Sequence, residues 1–233
     1  MQHPVWVILA TVLLFASSPA SAQFHLFNGV AFEHEVTPNW GYQFETEHRQ
    51  IVNTGSENRV LFTGAINRQL GKLVSVTPGV RVTPYYGEGP TEVRLFTDFY
   101  MNFSPNDGPF TLEGRLRSQY EFELTDEASS AEIAIRPRIG LAYSAGRAFD
   151  LVGEVETRYR FDNVDAIVQY RYTFGVSVAL STRVSVESFI RLESDQLPED
   201  NFIVGSVMVT YVLPDERDRD WAYRRPFGRS LLW

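Results

Sequence analysis

The sequence predicts an all-β chain closed into an antiparallel transmembrane β-barrel of 10 or 12 strands, and three observations carry that prediction. Between Glu92 and Glu193, six successive segments alternate charged or small residues with aromatic or aliphatic ones, and no charge falls on the second set. The segments run about 10 to 14 residues, whereas soluble strands cluster near about 5 to 6 and a tilted membrane strand needs about 9 to 11. The connections between them alternate between tight turns and mostly longer, more acidic loops, which is the pattern of an outer-membrane barrel.

Residues 1–22 read as a signal peptide. An apolar run from Val5 to Phe15 leads into Ala20-Ser21-Ala22, which suits cleavage before Gln23. That run is too short for the roughly 20 apolar residues of a spanning helix. Residues 23–213 carry the barrel pattern, and residues 214–233 form a charged C-terminal tail (Asp215, Glu216, Arg217, Asp218, Arg219, Asp220) ending at Trp233.

Within the barrel, strands are expected over Phe27 to Val36, Trp40 to Ile51, Arg59 to Leu70, Leu73 to Tyr85, Glu92 to Phe103, Phe110 to Leu124, Glu132 to Tyr143, Phe149 to Phe161, Ile167 to Leu180, Arg183 to Glu193 and Phe202 to Leu213. These are eleven. An odd count would start and finish the chain at opposite ends, so a further strand near Gln23 to Asn28, or a mis-split segment, is expected to restore even parity. Between Thr111 and Leu124 one parity holds Glu113, Arg115, Arg117, Glu121 and Glu123, and the other holds Leu112, Leu116, Tyr120, Phe122 and Leu124. Period two puts these on opposite faces. Pro78, Pro84 and Pro137 sit within strand patterns on the apolar parity, where each removes a ladder hydrogen bond, so bulges or early strand ends are expected there.

Alternation alone does not say which face meets solvent, because a soluble sandwich also reads polar, apolar, polar. Aromatic residues such as Phe110, Tyr120, Phe122, Tyr143, Tyr159 and Phe161 mark strand ends on the apolar parity, as paired girdles do. The charged parity is therefore expected to line the enclosed centre.

Composition narrows the function. The absence of cysteine excludes disulfide frameworks and thiol chemistry. The net charge of -8 disfavours a nucleic-acid partner. No cofactor or metal is expected, since Glu33 and His34, like Glu47 and His48, point to opposite faces of a strand. A lipid-modifying barrel enzyme would need a nucleophilic Ser within reach of a His base, and no His-x-Ser pattern accompanies His34 or His48. The chain is expected not to be an enzyme.

The expected lumen network comprises Asp98, Arg115, Arg117, Arg136, Arg138, Glu154, Glu156, Arg158 and Arg160. Pairing across the turn from Ser104 to Pro109 puts Asp98 opposite Arg115, and across Ala145 to Arg147 it puts Arg138 opposite either Glu154 or Glu156. If these charges pair fully they plug a narrow barrel. If some arginines stay free they form a track for small anionic solutes or acidic sugars. Expected partners are outer-membrane lipid, the barrel-assembly machinery and, in the second case, such solutes.

The stretches Leu112-Glu113-Gly114-Arg115-Leu116-Arg117, Arg136-Pro137-Arg138, Glu154-Val155-Glu156-Thr157-Arg158-Tyr159-Arg160 and Tyr170-Arg171-Tyr172 resemble a family of small bacterial outer-membrane barrels catalogued as a domain of unknown function, the 2490 type. The likeness covers Trp40 to Leu213, and acidic-oligosaccharide porins are similar. It implies an outer-membrane location and a barrel fold; it implies no activity. It also carries over Arg115, Arg117, Arg136, Arg138, Glu154, Glu156, Arg158 and Arg160 as lumen residues.

Overall fold

The computed structural model describes residues 23–52, 58–85, 90–105, 108–124, 131–146, 148–162, 164–196 and 199–213. The expected signal peptide and charged tail lie outside them. Eleven strands follow one another: β1 (Gln23–Thr37), β2 (Trp40–Ile51), β3 (Asn58–Gln69), β4 (Val74–Thr83), β5 (Thr91–Phe103), β6 (Phe110–Leu124), β7 (Glu132–Ser144), β8 (Phe149–Arg160), β9 (Ala166–Ala179), β10 (Val184–Gln196) and β11 (Glu199–Val212). Each neighbours the next in a closed barrel, and β1 pairs with β11 to complete the ring.

The strand number corrects the expected 10 or 12. The segment from Gln23 to Asn28 is not a separate strand but the first part of β1. Parity is resolved at the seam: an up-and-down meander of eleven strands brings its first and last strands together pointing the same way, and β1 pairs with β11 in parallel from Gln23↔Phe202 to Glu33↔Val212. The sheet is therefore mixed, with ten antiparallel contacts and this one parallel contact.

The tight turns have local chemical causes. The Ser181 hydroxyl accepts from the backbone N–H groups of Arg183 (3.2 Å) and Val184 (3.1 Å), folding β9 back into β10. Gly146 sits at φ +99° in the β7–β8 turn, where a Cβ would be strained. At the opposite end the β10–β11 connection is shorter than expected, because pairing runs on to Asp195↔Asp200 and Gln196↔Glu199.

Pro84 lies just beyond the end of β4, as one of the two expectations had it. Pro78 and Pro137 are corrections. The β3–β4 and β7–β8 ladders skip the positions beside them and resume in the same register, so neither proline makes a bulge. Both point outward, and the missing N–H faces a gap in the ladder rather than a shifted one. Register shifts occur between Glu35 and Thr37 and between Arg158 and Tyr159.

The alternation places apolar residues outside and charges inside. Leu116 is 46% exposed and Ile139 66%, whereas Asp98 is 0% and Arg117 1% exposed. Outward aromatic pairs flank the exterior: Phe110 with Tyr143 at the short-turn end (5.1 Å between centroids), and Tyr120 with Phe122 (5.6 Å) and Tyr159 with Phe161 (5.0 Å) at the other. The charged parity is not uniformly polar, however. Phe27, Phe96, Tyr100 and Phe189 also point inward and are buried. Phe27, Val152, Phe189 and Val204, from β1, β8, β10 and β11, form a buried apolar cluster.

Candidate functional site: the charged lumen

The lumen holds two levels of charge. The deeper one is built where β5 to β9 face the barrel centre, and it contains seven of the nine residues expected from the sequence: Asp98, Arg115, Arg117, Arg136, Arg138, Glu154 and Glu156 are all buried. The β6–β7 register sets Arg115 opposite Arg138 and Arg117 opposite Arg136. Like charges directly across a ladder repel. Carboxylates from β5 and β8 relieve the repulsion.

On one side, Arg117 donates to Asp98 through Nε and Nη2, both at 2.7 Å, in a forked pair. The Tyr100 hydroxyl donates to the same carboxylate at 3.1 Å. The Arg117 guanidinium also lies 4.4 Å above the Phe96 ring. On the other side, Glu156 is a hub: it accepts from Arg115, from Arg136 (Nε, 3.0 Å) and from Arg171 (3.2 Å). Arg138 donates to Glu154 at 3.3 Å.

The expected pairing of Asp98 with Arg115 is thus corrected to Arg117. The β5–β6 register runs Phe103↔Leu112 and Asp98↔Arg117, two residues away from the register assumed, because the turn takes up Ser104 to Thr111. Ser104 and Thr111 close it with a hydroxyl contact of 2.8 Å. For Arg138 the two expectations divide: its ladder partner is Glu156, and its ion pair is with Glu154.

Arg158 and Arg160 lie apart from this layer, at the end that carries the longer loops. Glu121 and Glu132 face each other across β6 and β7, and Arg158 bridges them, contacting Glu132 and lying 3.7 Å from Glu121. Arg160 pairs with Glu132 (3.2 Å) and donates to Asp162 (Nε, 3.0 Å), and that bond holds the Asp162 carboxyl below the usual aspartate range.

The upper level was not foreseen as a unit. A cavity of about 480 Å³ opens toward this end, and one arginine from each of the nine consecutive strands β2 to β10 lines it. Against them stand the carboxylates Glu193 and Asp195. Arg171 and Arg191 both contact Glu193, at 3.2 and 3.1 Å. His25 also lines the cavity, with its ring 4.9 Å from Phe202. In the sequence Arg94, Arg171 and Arg191 share the parity of Asp98, Gln169 and Glu193 in their own strands. Arg81 stands alone among Val, Thr, Gly and Pro in β4, with no charged neighbour in the sequence to draw notice.

The described residues contain no group of three or more His, Asp or Glu placed to hold a metal ion. A comparison with family models matches residues 24–203 to a family described as "Protein of unknown function (DUF2490)". No curated protein matches the chain. The matched span covers most of the sequence, reaching further toward the N-terminus and less far toward the C-terminus than the resemblance read from Trp40 to Leu213. The chain belongs to the DUF2490 family.

Proposed function

We propose that this DUF2490 member is an exported outer-membrane barrel whose lumen is sealed by its own charged side chains, so that it acts as a structural element of the membrane rather than as an open pore or an enzyme. The observation that carries the reading is the water-inaccessible ionic layer inside an apolar exterior: Asp98, Arg115, Arg117 and Glu156 are buried in the centre while Leu116 and Ile139 are bare. A soluble barrel would reverse these faces, since an apolar exterior of this extent is unfavourable in water. In hydrocarbon the arrangement is the stable one, because closure leaves no sheet edge and the charges stay within protein.

The support for sealing is equally local. Guanidinium groups from three strands converge on Glu156, and the forked bond of Arg117 with Asp98 is backed by the Phe96 ring. The buried apolar cluster of Phe27, Val152, Phe189 and Val204 takes up further space inside the barrel. A pore for small anions would need a continuous wet path past these residues.

Heat-modifiable gel mobility of the membrane-extracted protein tests the barrel. A folded form that migrates faster than the boiled form is expected, and recovery of the protein in the soluble periplasmic fraction would refute the membrane location. Planar-bilayer recordings test the seal: silence is expected. Anion-selective steps that change in Arg115→Ala or Arg138→Ala would instead establish the solute pathway. Acyl release from lipid A or phospholipid would establish the enzyme.

A further inference from the structure

The cavity above the sealed layer has more cationic groups than the seal can account for. Nine arginines line it, and the lining carboxylates are Glu193 and Asp195. Most of these arginines also engage a carboxylate. Arg81 does not: among the described residues its one hydrogen bond runs from Nε to the Thr63 hydroxyl at 3.0 Å, and one of its Nη atoms is buried without a partner.

The surroundings of Arg81 make this costly. It is 4% exposed, and its ladder partner on β5 is another cation, Arg94. The charges acting on it include Arg49, Arg94 and Arg117, all repulsive, and the attractive Glu47, which is itself held by Arg49. A buried cation beside like charges and with no carboxylate in contact is destabilised, and an anion that joins it relieves this. Nothing in the sealed layer needs Arg81, because the pairs of Asp98, Glu154 and Glu156 are complete without it.

We infer that the cavity is a dead-end receptor for a tetrahedral oxyanion of the phosphate type, free or carried on a sugar-sized molecule, seated on Arg81 with Arg49, Arg94 and Arg191 around it. The choice of a phosphate follows from the shape of the anion. Arginines from separate strands line the cavity, and a tetrahedral dianion offers oxygens in directions that do not share a plane, whereas the two oxygens of a carboxylate accept within one plane. Arg49 and Arg191 lie over inward phenyl rings, 4.5 Å above Phe27 and 4.7 Å above Phe189. Stacking occupies the face of a guanidinium and leaves its N–H edge to donate. The cavity volume suits a ligand of monosaccharide or disaccharide size.

The inference rests on the barrel reading for its geometry, but its test does not need the membrane. The full chain in detergent is titrated calorimetrically with inorganic phosphate, glucose 1-phosphate, galacturonate and glucose, alongside Arg81→Gln and, as a rim control, Arg160→Gln. Phosphate binding that falls at least about tenfold in Arg81→Gln and stays within about twofold in Arg160→Gln is expected. Tighter binding of glucose 1-phosphate than of phosphate assigns the anion to a phosphosugar, and equal binding assigns it to the free ion. No phosphate binding by the parent at low millimolar concentration overturns the inference. So does binding that a folded Arg81→Gln retains, or a preference for galacturonate. Should Arg81→Gln fail to show the heat-modifiable form, the parent alone still decides: phosphate, but not chloride at equal ionic strength, must raise its unfolding temperature. Conductance in planar bilayers with phosphate binding intact would sink the seal and the dead end with it, and leave the anion site on Arg81. Silence without binding would do the reverse.

Discussion

The two levels of the lumen use the same side chain to opposite ends. Around Glu156, arginines from β6, β7 and β9 share one carboxylate, and Arg117 grips Asp98 with both arms of its fork. Around Arg81, a few residues nearer the longer loops, the neighbours are cations and the hydrogen-bond partner is a hydroxyl. A buried guanidinium is a bolt where a carboxylate meets it and a vacancy for an anion where none does. What separates the two is the register that decides which strand supplies the acid.

The sharpest way to break the comparison is to remove the hub. Glu156→Gln leaves two buried guanidinium groups, Arg115 and Arg136, and the half-buried Arg171 with a neutral acceptor, and a loss of about 3–5 kcal/mol is expected, read as a shift in the urea midpoint of the refolded barrel. Next comes the exterior: Leu116→Lys, placed at mid-height on the bare apolar face, should cost about 2–4 kcal/mol in bilayers and lower assembly into the outer membrane, while unchanged assembly would show that this face does not meet lipid. Gly79→Ala attacks the support beneath the forked pair. Its Cβ would lie 2.4 Å from the Phe96 ring and 2.9 Å from the Gly64 carbonyl, so a loss of about 1–3 kcal/mol is expected from the same urea midpoint. Smallest of all is Arg81→Gln in the absence of anions. It removes an uncompensated cation and should leave stability within about 1 kcal/mol of the parent, or raise it. A large loss there would place Arg81 among the bolts.

Much of this was legible in the chain because period two is a local property. Leu112, Leu116 and Tyr120 could be separated from Glu113, Arg115 and Arg117 by counting, and the bounds of β2 and β6 follow from where that alternation starts and stops. The lumen membership of Arg136, Arg138, Glu154 and Glu156 followed in the same way. Pairing was harder, because it depends on how many residues a turn consumes. Two more than assumed between β5 and β6 moved Asp98 from Arg115 to Arg117. The inward rings of Phe27, Phe96 and Phe189 were hidden for another reason: a phenyl group on the charged parity reads as an interruption until an arginine from elsewhere is seen lying over it. Arg81 was invisible because its significance is what it lacks, and partners missing across strands leave no mark in a sequence.

The junction of β1 with β11 has a kinetic consequence. Every other neighbouring pair is a hairpin whose halves are close along the backbone, so they can zip up one after another with little search. The ring, by contrast, shuts only when Phe24 meets Ile203 and Val30 meets Val209, from nearly opposite ends of the polypeptide. Parallel ladders are slightly weaker per residue than antiparallel ones, and the loop that must be closed is the longest available. This boundary therefore forms last and loosens first. Amide protons of Gln23–Thr37 and Glu199–Val212 that face each other should exchange with deuterium ahead of those between β6 and β7, so that the molecule opens as a sheet unrolling from one fixed line.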